Sequence, residues 1–207
     1  MKIYLVRHGE TEANKEGRYQ GWTETDLTTS GYREAELTGR YLSSLGIDAL
    51  YCSDLIRAKE TARIIGEKCN VEPIVDPLLR ELHFGHWEGL NYWEIKEEWA
   101  WEMDQWFSDP FSVSPPGGEN LNEACRRMQS FAKDLEELES PPSQVVVVSH
   151  GGSIRAWLAH LMNEHSDGFW DLKLGNTSIS LVEKEQKGDF RLVYRNFMEH
   201  LETEPET

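Results

Sequence analysis

The chain is poor in three features that would reveal its class at once: paired cysteines, positive charge and long apolar runs. Its three cysteines are an odd number with no Cys-x-x-Cys pair, which disfavours a disulfide framework or zinc ribbon and is typical of a reducing compartment. The formal net charge of −16 disfavours binding to nucleic acid or to an anionic membrane. No run approaches the ~20 apolar residues of a membrane span. We therefore expect a soluble, cytoplasmic protein without nucleic-acid or membrane partners.

Motifs of several phosphate-handling classes are also missing from the sequence. No GxxxxGK[ST] segment is present, which leaves a P-loop nucleotidase or kinase unsupported. A cysteine phosphatase needs Cys-x5-Arg, but Cys52 and Arg57 are one residue too close, and no other cysteine has the spacing. His83 and His86 could suggest a metal site, yet no companion cluster of carboxylates and histidines accompanies them. We predict neither a metal nor a cofactor.

Apolar runs typical of buried strands alternate with stretches of helical periodicity. The prolines place one strand at a sheet edge, and the last two strands form a hairpin across a Lys-Gly-Asp turn. The predicted strands span residues 3–6, 47–52, 73–79, 145–148, 178–183 and 190–195. The predicted helices are one ending at Gly46, one capped by Ser53, a single helix over 91–107, and two over 121–135 and 152–162. This alternation predicts one α/β domain over residues 1–207, a three-layer α/β/α arrangement with a mostly parallel central sheet.

Two histidines stand at equivalent positions in this pattern. His8 and His150 each follow a predicted core strand, and each is followed by a glycine, Gly9 or Gly151. The carboxyl ends of parallel strands meet at the edge of the sheet where ligands bind, and glycine lets the backbone approach a ligand closely. Seen alone, either motif would be an ordinary loop segment about as often as part of a binding site. Both together, with Arg7 attached to the first, indicate a site for an anion.

Two further segments complete a constellation for phosphoryl transfer. Arg57 begins a predicted helix after the second strand, and Glu81 follows the edge strand; alone, each would be an ordinary surface residue. Hydrolysis of a phosphomonoester requires over ~20 kcal/mol of transition-state stabilisation. An imidazole can attack phosphorus, guanidiniums match the geometry of the phosphate oxygens, and a carboxylic acid can protonate the leaving alkoxide.

The segments "LVRHGETEAN", "SDLIRAKETA", "LRELHFGHWEG" and "VVVVSHGGSIR" resemble the signature segments of the histidine phosphatase superfamily, which includes the cofactor-dependent phosphoglycerate mutases. The resemblance covers nearly the whole chain. It implies a single histidine phosphatase domain of phosphoglycerate mutase-like fold. It also implies a metal-independent phosphomonoesterase that works through a phosphohistidine.

The resemblance also assigns roles to individual residues. His8 matches the histidine that becomes phosphorylated, and Glu81 matches the proton donor. The phosphate pocket is matched by Arg7, Arg57 and His150. The residues that we expect to form the substrate-binding surface are Gly9, Glu10, Thr11, Asn14, Gln20, Gly21, His83 and Gly151.

The superfamily contains both hydrolases and mutases, and the hydrolase is favoured. Mutases use a lysine after the proton donor and an arginine pair in a long insertion. Tyr92 stands at the lysine position, and residues 87–120 contain no arginine. Arg126 and Arg127 come later, inside a predicted helix, where we expect a structural role. A phosphoglycerate mutase remains the alternative, and a non-catalytic binding or scaffold member is the alternative from another class.

Residues 87–119 are predicted to form a helical cover over the active site. Trp99 and Trp106 lie on its apolar stripe and are expected in the core, whereas Trp93 and Trp101 are expected to give the cover an aromatic lining. Acidic residues of the cover would repel extra anionic groups, so 3-phosphoglycerate is expected to bind poorly; they are Glu88, Glu94 and Glu97. "FGHWEGLNYWEI" and "PPGGEN" resemble α-ribazole phosphatases and, almost as closely, broad-specificity phosphatases. The specific prediction is a phosphatase for α-ribazole 5′-phosphate or one of broad specificity, with a homo-oligomer and a moving cover left open.

Overall fold

A computed structural model describes residues 1–164, 166–184 and 188–202 of the chain, excluding the side chain of Asp167. Within these residues the strands are β1 (Lys2–Arg7), β2 (Ala49–Cys52), β3 (Pro73–Val75), β4 (Gln144–Ser149), β5 (Ile179–Glu183) and β6 (Arg191–Phe197). The α-helices are α1 (Glu12–Lys15), α2 (Thr29–Ser43), α3 (Ile56–Cys69), α4 (Tyr92–Glu98), α5 (Ala100–Ser108), α6 (Leu121–Glu136), α7 (Gly151–Leu161) and α8 (Ser166–Asp171). Short 3₁₀ helices span Pro77–Leu79, Gly85–Trp87 and Glu199–Leu201.

The strands form one sheet in the order β3-β2-β4-β1-β5-β6. The first four are mutually parallel, β5 runs antiparallel to β1, and β6 runs antiparallel to β5. The prediction of a mostly parallel sheet is confirmed, as are the closing hairpin and the edge position of β3. The predicted Lys-Gly-Asp turn of that hairpin begins at Lys187, which lies outside the described residues.

Each central strand buries both of its faces, which explains why its sequence is continuously apolar. Ile3 and Leu5 pack with side chains of α6 and α7 in one core, whereas Tyr4 and Val6 pack with α2 and α3 in the other. Successive side chains of a strand point to opposite faces, so one run of apolar residues supplies both cores. Full burial of one such side chain contributes about 1.5–3 kcal/mol to stability. The sheet therefore lies between two helical layers.

Three helix boundaries differ from the sequence prediction. The predicted helix over 91–107 is two helices, because the backbone breaks at Trp99 (φ −126°, ψ 34°). No proline or glycine marks the break, and a spacing of three to four residues continues across it. Helix α3 is preceded by Leu55 as N-cap, while the Ser53 hydroxyl accepts a bond from the Leu55 amide. Helix α2 ends at Ser43, short of Gly46. Among the described residues, none of the helices has the length and apolar character to cross a bilayer.

Candidate active site

The register of β1 against β4 brings the two strand-end histidines together. Arg7 pairs with Ser149 in the parallel ladder, and the His8 amide donates to the Ser149 carbonyl at 3.0 Å. His8 and His150 therefore leave the sheet side by side, with ring centroids 5.2 Å apart. Both imidazoles are buried. The structure thus joins the two motifs that the sequence places more than 140 residues apart.

The tautomer of His8 follows from a contact with its neighbour's backbone. Nδ1 lies 2.8 Å from the Gly9 carbonyl oxygen, which can only accept a hydrogen bond, so Nδ1 carries the proton and Nε2 carries the lone pair. The pKa of His8 lies well below its ordinary value of 6.5, chiefly because of burial and then because of the charges of Arg57 and Arg7. The ring is therefore neutral at physiological pH, the form that a nucleophilic attack would require.

His150 has the same location at the next strand but a different environment. Both of its ring nitrogens are buried without a hydrogen-bond partner in the described part of the chain. Burial, followed by the charges of Arg57 and the proximity of His8, holds its pKa well below 6.5. A buried N–H without a partner carries a desolvation cost that an oxyanion can offset by accepting from it. His150 is thus suited to hold a phosphate oxygen beside His8.

Two arginines next to His8 are oriented by backbone carbonyls. Arg7 donates Nη1 to the Leu174 carbonyl at 2.7 Å. Arg57 donates Nη1 to the Thr23 carbonyl at 2.9 Å and Nη2 to the Gly21 carbonyl at 2.7 Å. The Nε atom of each arginine is buried and makes no hydrogen bond within the described residues. Burial lowers the pKa of Arg57 to about 10, which leaves it charged. Held in this way, the guanidiniums can direct their remaining N–H groups at phosphate.

Glu81 is held against the first turn of α7. Oε1 accepts from the amides of Leu82 at 2.8 Å and Ser153 at 3.0 Å, and Oε2 accepts from the Gly152 amide at 3.1 Å. A Cβ at position 152 would lie 2.6 Å from Glu81 Oε1, so only glycine allows this approach. The helix that follows His150 therefore also positions the carboxyl group.

A second support for Glu81 is Arg127, for which the sequence predicts only a structural role. Its guanidinium donates to the carbonyls of Leu78, Arg80 and Glu81 at 2.9, 3.0 and 3.2 Å. It also pairs with Glu119 at 2.5 Å. Arg127 thus holds the backbone of residues 78–81, which carries the predicted proton donor Glu81. Its contacts with that backbone span 46 to 49 residues, so no local sequence signal reveals them.

These groups open onto one cavity of about 560 Å³. Four of the predicted catalytic residues line it, while His150 lies directly beside His8 without being a lining residue. Three of the predicted substrate-binding residues line it as well. The predicted residues on the cavity wall are Arg7, His8, Arg57, Glu81, Asn14, Gln20 and Gly151.

The other predicted substrate-binding residues are not on the cavity wall; they are Gly9, Glu10, Thr11, Gly21 and His83. Several of them contact other parts of the site. A Cβ on Gly9 would lie 2.6 Å from the Gly31 carbonyl oxygen, so this glycine serves close backbone packing as well as the tautomer of His8. Thr11 caps α1 and donates to Gln20 Oε1 at 3.0 Å.

Glu10 and His83 have comparable supporting contacts. Glu10 Oε1 accepts from the Thr28 hydroxyl at 2.8 Å, beside the start of α2. The ring centroids of His83 and Trp22 are 4.7 Å apart. His83 lies in the loop that follows Glu81. His83 therefore packs within this loop, away from the cavity wall on which the sequence predicted it. In the described part of the chain, no group of three or more His, Cys, Asp or Glu side chains is arranged to hold a metal ion.

The aromatic lining of the cavity differs from the one predicted. Trp93 and Trp101 have 73% and 70% of their surface exposed and are not lining residues. Tyr92, one position before Trp93 on α4, lines the cavity instead, since neighbouring positions of a helix point about 100° apart. Trp106 is buried, as expected, and also lines the cavity. The other aromatic lining residues are Tyr19, Phe84, Phe169 and Trp170.

The acidic lining predicted for the cover is also wrong. Glu94 pairs with Arg18 at 2.7 Å and accepts from the Asn91 amide at the start of α4. Glu88 accepts from the Trp22 amide and the Thr23 hydroxyl. Neither these carboxylates nor Glu97 lines the cavity. Glu88 and Glu94 are thus engaged by other parts of the protein, so they do not face a substrate.

Three basic residues on the cavity wall were not predicted: Arg18, Arg155 and Lys173. Arg155 donates Nη2 to the Phe169 carbonyl at 2.8 Å, and its Cζ lies 4.0 Å from the centre of the Phe169 ring. A sequence signal for it existed, because Arg155 is four residues after Gly151 and therefore on the same face of α7. Lys173, in contrast, follows α8 and carried no signal.

The family model described as "Histidine phosphatase superfamily (branch 1)" matches residues 3–197. The chain therefore belongs to the histidine phosphatase superfamily. Phosphoserine phosphatase 1 from Hydrogenobacter thermophilus is 33% identical over 187 residues, covering 90% of this chain and 88% of that protein. The adenosylcobalamin/alpha-ribazole phosphatase of Salmonella typhimurium is 33% identical over 183 residues, covering 88% of this chain and 90% of that protein.

Among solved structures, YhfR of Bacillus stearothermophilus superimposes with a TM-score of 0.87 at 30% identity, covering 97% of this chain and 99% of the other. The phosphoglycerate mutase-like fold predicted from the sequence is confirmed. So is the class of activity: the chain is a phosphatase of the histidine phosphatase type, a phosphoric monoester hydrolase.

Proposed function

We propose that the chain hydrolyses small phosphomonoesters in two steps, through a phosphohistidine on His8 and without a metal ion. The observation that carries this proposal is the bond from Nδ1 of His8 to the Gly9 carbonyl. It leaves the Nε2 lone pair of a neutral imidazole beside Arg7 and Arg57, in a cavity that they line together.

In the first step, Nε2 of His8 forms a bond to phosphorus while the bond to the leaving oxygen breaks. Arg7, Arg57 and His150 donate to the remaining phosphate oxygens and stabilise their charge. Glu81 gives its proton to the leaving oxygen, which departs as an alcohol.

In the second step, water attacks the phosphohistidine. Glu81, now a carboxylate, takes a proton from that water, and the bond between phosphorus and Nε2 of His8 breaks to release inorganic phosphate. This returns the proton that Glu81 gave up, so the cycle closes without another reactant.

Among possible substrates, α-ribazole 5′-phosphate remains the specific candidate, within a broader range of phosphomonoesters. Aromatic side chains of the predicted cover, residues 87–119, support it: Tyr92 and Trp106 line the cavity together with Phe169 and Trp170. Aromatic walls favour flat leaving groups. The three cysteines are free in the structure, which supports a cytoplasmic setting. We expect no nucleic-acid or membrane partner, and a homo-oligomer stays open.

The test is steady-state hydrolysis of p-nitrophenyl phosphate and a panel of phosphomonoesters that includes α-ribazole 5′-phosphate, with and without excess EDTA. We expect turnover unaffected by EDTA, together with a phosphoenzyme that is labile to acid and stable to alkali. Activity lost with EDTA and restored by zinc or magnesium would contradict the metal-independent mechanism. Efficient interconversion of 2- and 3-phosphoglycerate would replace the hydrolase with a mutase. Absence of turnover on every substrate would favour the scaffold alternative.

A further inference from the structure

The cavity carries more positive charge than a phosphate group requires. Among the described residues, its lining includes five cationic side chains but only one carboxylate, that of Glu81. Arg7 and Arg57 belong to the phosphate end. Arg18 is neutralised by Glu16 and Glu94, each at 2.7 Å. Arg155 and Lys173 remain, and this surplus stands out in a chain with a net charge of −16.

Glu81 attracts the charge of Arg155 from beyond ion-pair distance. Arg155 forms no ion pair within the described residues, and its Nε atom is buried without a hydrogen-bond partner. Burial lowers its pKa to about 10, so the guanidinium stays charged near neutral pH. An unpaired charge removed from water is costly unless another group compensates for it. The carbonyl and ring of Phe169, with Glu81 at longer range, provide only part of that compensation.

The location of Arg155 relates it to the phosphate end of the cavity. Arg155 binds the Phe169 carbonyl, and Arg7 binds the Leu174 carbonyl. The two arginines therefore hold opposite ends of one wall segment, residues 169–174, and Lys173 lies within it. In addition, Arg155 is one helical turn from Gly151 and Gly152, which also line the cavity. A second cationic surface thus adjoins the phosphate pocket along one wall.

We propose that Arg155 and Lys173 bind a carboxylate on the leaving group, so that carboxylate-bearing phosphomonoesters are preferred over matched neutral ones. This inference rests on the proposed function and names a substrate class for the same site. A planar guanidinium matches a carboxylate in geometry, and a lysine adds a second charge. It reverses the expectation from the sequence that extra anionic groups on the leaving group are repelled.

The experiment compares 3-phosphoglycerate with glycerol 3-phosphate, which differ only by a carboxylate in place of a hydroxymethyl group. We expect kcat/KM to be about tenfold or more higher for 3-phosphoglycerate, as charge-assisted hydrogen bonds are strong. Arg155→Met should lower this ratio to about one, and Lys173→Met should lower it several-fold. Arg126→Met removes an exposed arginine that does not line the cavity, and should leave the ratio unchanged.

The two failures are distinguishable. If the unmodified protein forms the phosphoenzyme with p-nitrophenyl phosphate but shows equal kcat/KM for the matched pair, the carboxylate subsite is wrong and the proposed function stands. A ratio lowered equally by Arg126→Met would also overturn the subsite, because net charge alone would explain it. Arg155 packs on Phe169, so Arg155→Met could unfold the protein. In that case Lys173→Met decides: an unchanged ratio overturns the proposal, and a several-fold fall supports it.

Discussion

The two ends of the cavity are built in different ways. At the phosphate end, His8 and His150 follow neighbouring parallel strands, and backbone carbonyls or amides hold Arg7, Arg57 and Glu81. At the leaving-group end, side chains from α4, α5 and α8 meet, and their contacts with one another are mostly between aromatic rings. A side chain held by backbone groups has one fixed position, whereas a packed ring can be replaced by another side chain of similar volume. This comparison indicates that the chemistry depends on the first end and the choice of substrate on the second.

The strongest test of the phosphate end is His8→Ala. Without the imidazole no phosphohistidine can form, so we expect turnover of p-nitrophenyl phosphate to fall by at least about 10⁴-fold. The measurement is steady-state hydrolysis together with trapping of the phosphoenzyme under alkaline conditions. His160→Ala, which truncates an exposed histidine of α7, is the matched control and should retain full activity. A phosphoenzyme in the His8 variant would place the nucleophile elsewhere.

Glu81→Gln should separate leaving groups by their need for a proton. Turnover of alkyl phosphates such as glycerol 3-phosphate should fall by about 10²–10³-fold, because an alkoxide leaves poorly unless protonated. Turnover of p-nitrophenyl phosphate should fall by less than about tenfold, since a nitrophenolate is a stable leaving group. The measurement is kcat/KM for both substrates. Equal losses on the two would contradict the assignment of Glu81 as proton donor.

Arg127→Met should reproduce the pattern of Glu81→Gln with smaller amplitude. Losing the clamp on the carbonyls of residues 78, 80 and 81 should loosen the carboxyl group without removing it. We expect about a tenfold loss in kcat with alkyl phosphates and a smaller loss with p-nitrophenyl phosphate. Arg126→Met, the neighbouring exposed arginine, serves as control. A uniform loss on both substrates that follows the melting temperature would indicate a merely structural role for Arg127.

Tyr92→Ala and Trp93→Ala form a matched pair at the leaving-group end. Tyr92 lines the cavity, whereas Trp93 is exposed and does not. Removing one aromatic contact of about 0.5–1.5 kcal/mol should lower kcat/KM for aromatic leaving groups several-fold in the Tyr92 variant. The Trp93 variant should stay within about twofold of the unmodified protein. A larger loss of kcat/KM in the Trp93 variant than in the Tyr92 variant would support the aromatic lining predicted from the sequence.

The smallest effect concerns pH. The folded pKa of His8 lies well below 6.5, so its nucleophilic, neutral form persists as pH falls through that value. Between pH 7.5 and 6.0, the single-turnover rate of phosphoenzyme formation should change by less than about twofold, after correction for ionisation of the substrate. An imidazole of ordinary pKa would lose about fourfold over this interval. A fourfold fall would show that His8 is hydrated and titrates normally.

Much of the phosphate end could be predicted because its signals are local. A continuous apolar run such as "VVVV" indicates a strand buried on both faces, and a polar residue just after it must lie at the sheet edge. Thus the sequence predicts His8, Arg7 and His150 at one edge of the sheet, and the structure has them there. The roles of these residues in turnover stay predictions until the variants are measured.

The sequence by itself determined the α/β architecture, the strand-end histidines and the membership of the superfamily, because apolar periodicity and short motifs are properties of neighbouring residues. Only the tertiary structure decided that the helix over 91–107 breaks at Trp99, that Trp93 and Trp101 face solvent, and which charges line the cavity. Helical periodicity defines which residues share a face, but not what that face meets. The latter depends on partners far away in the chain, as in the contact between Arg155 and the Phe169 carbonyl or between Arg127 and the loop of Glu81.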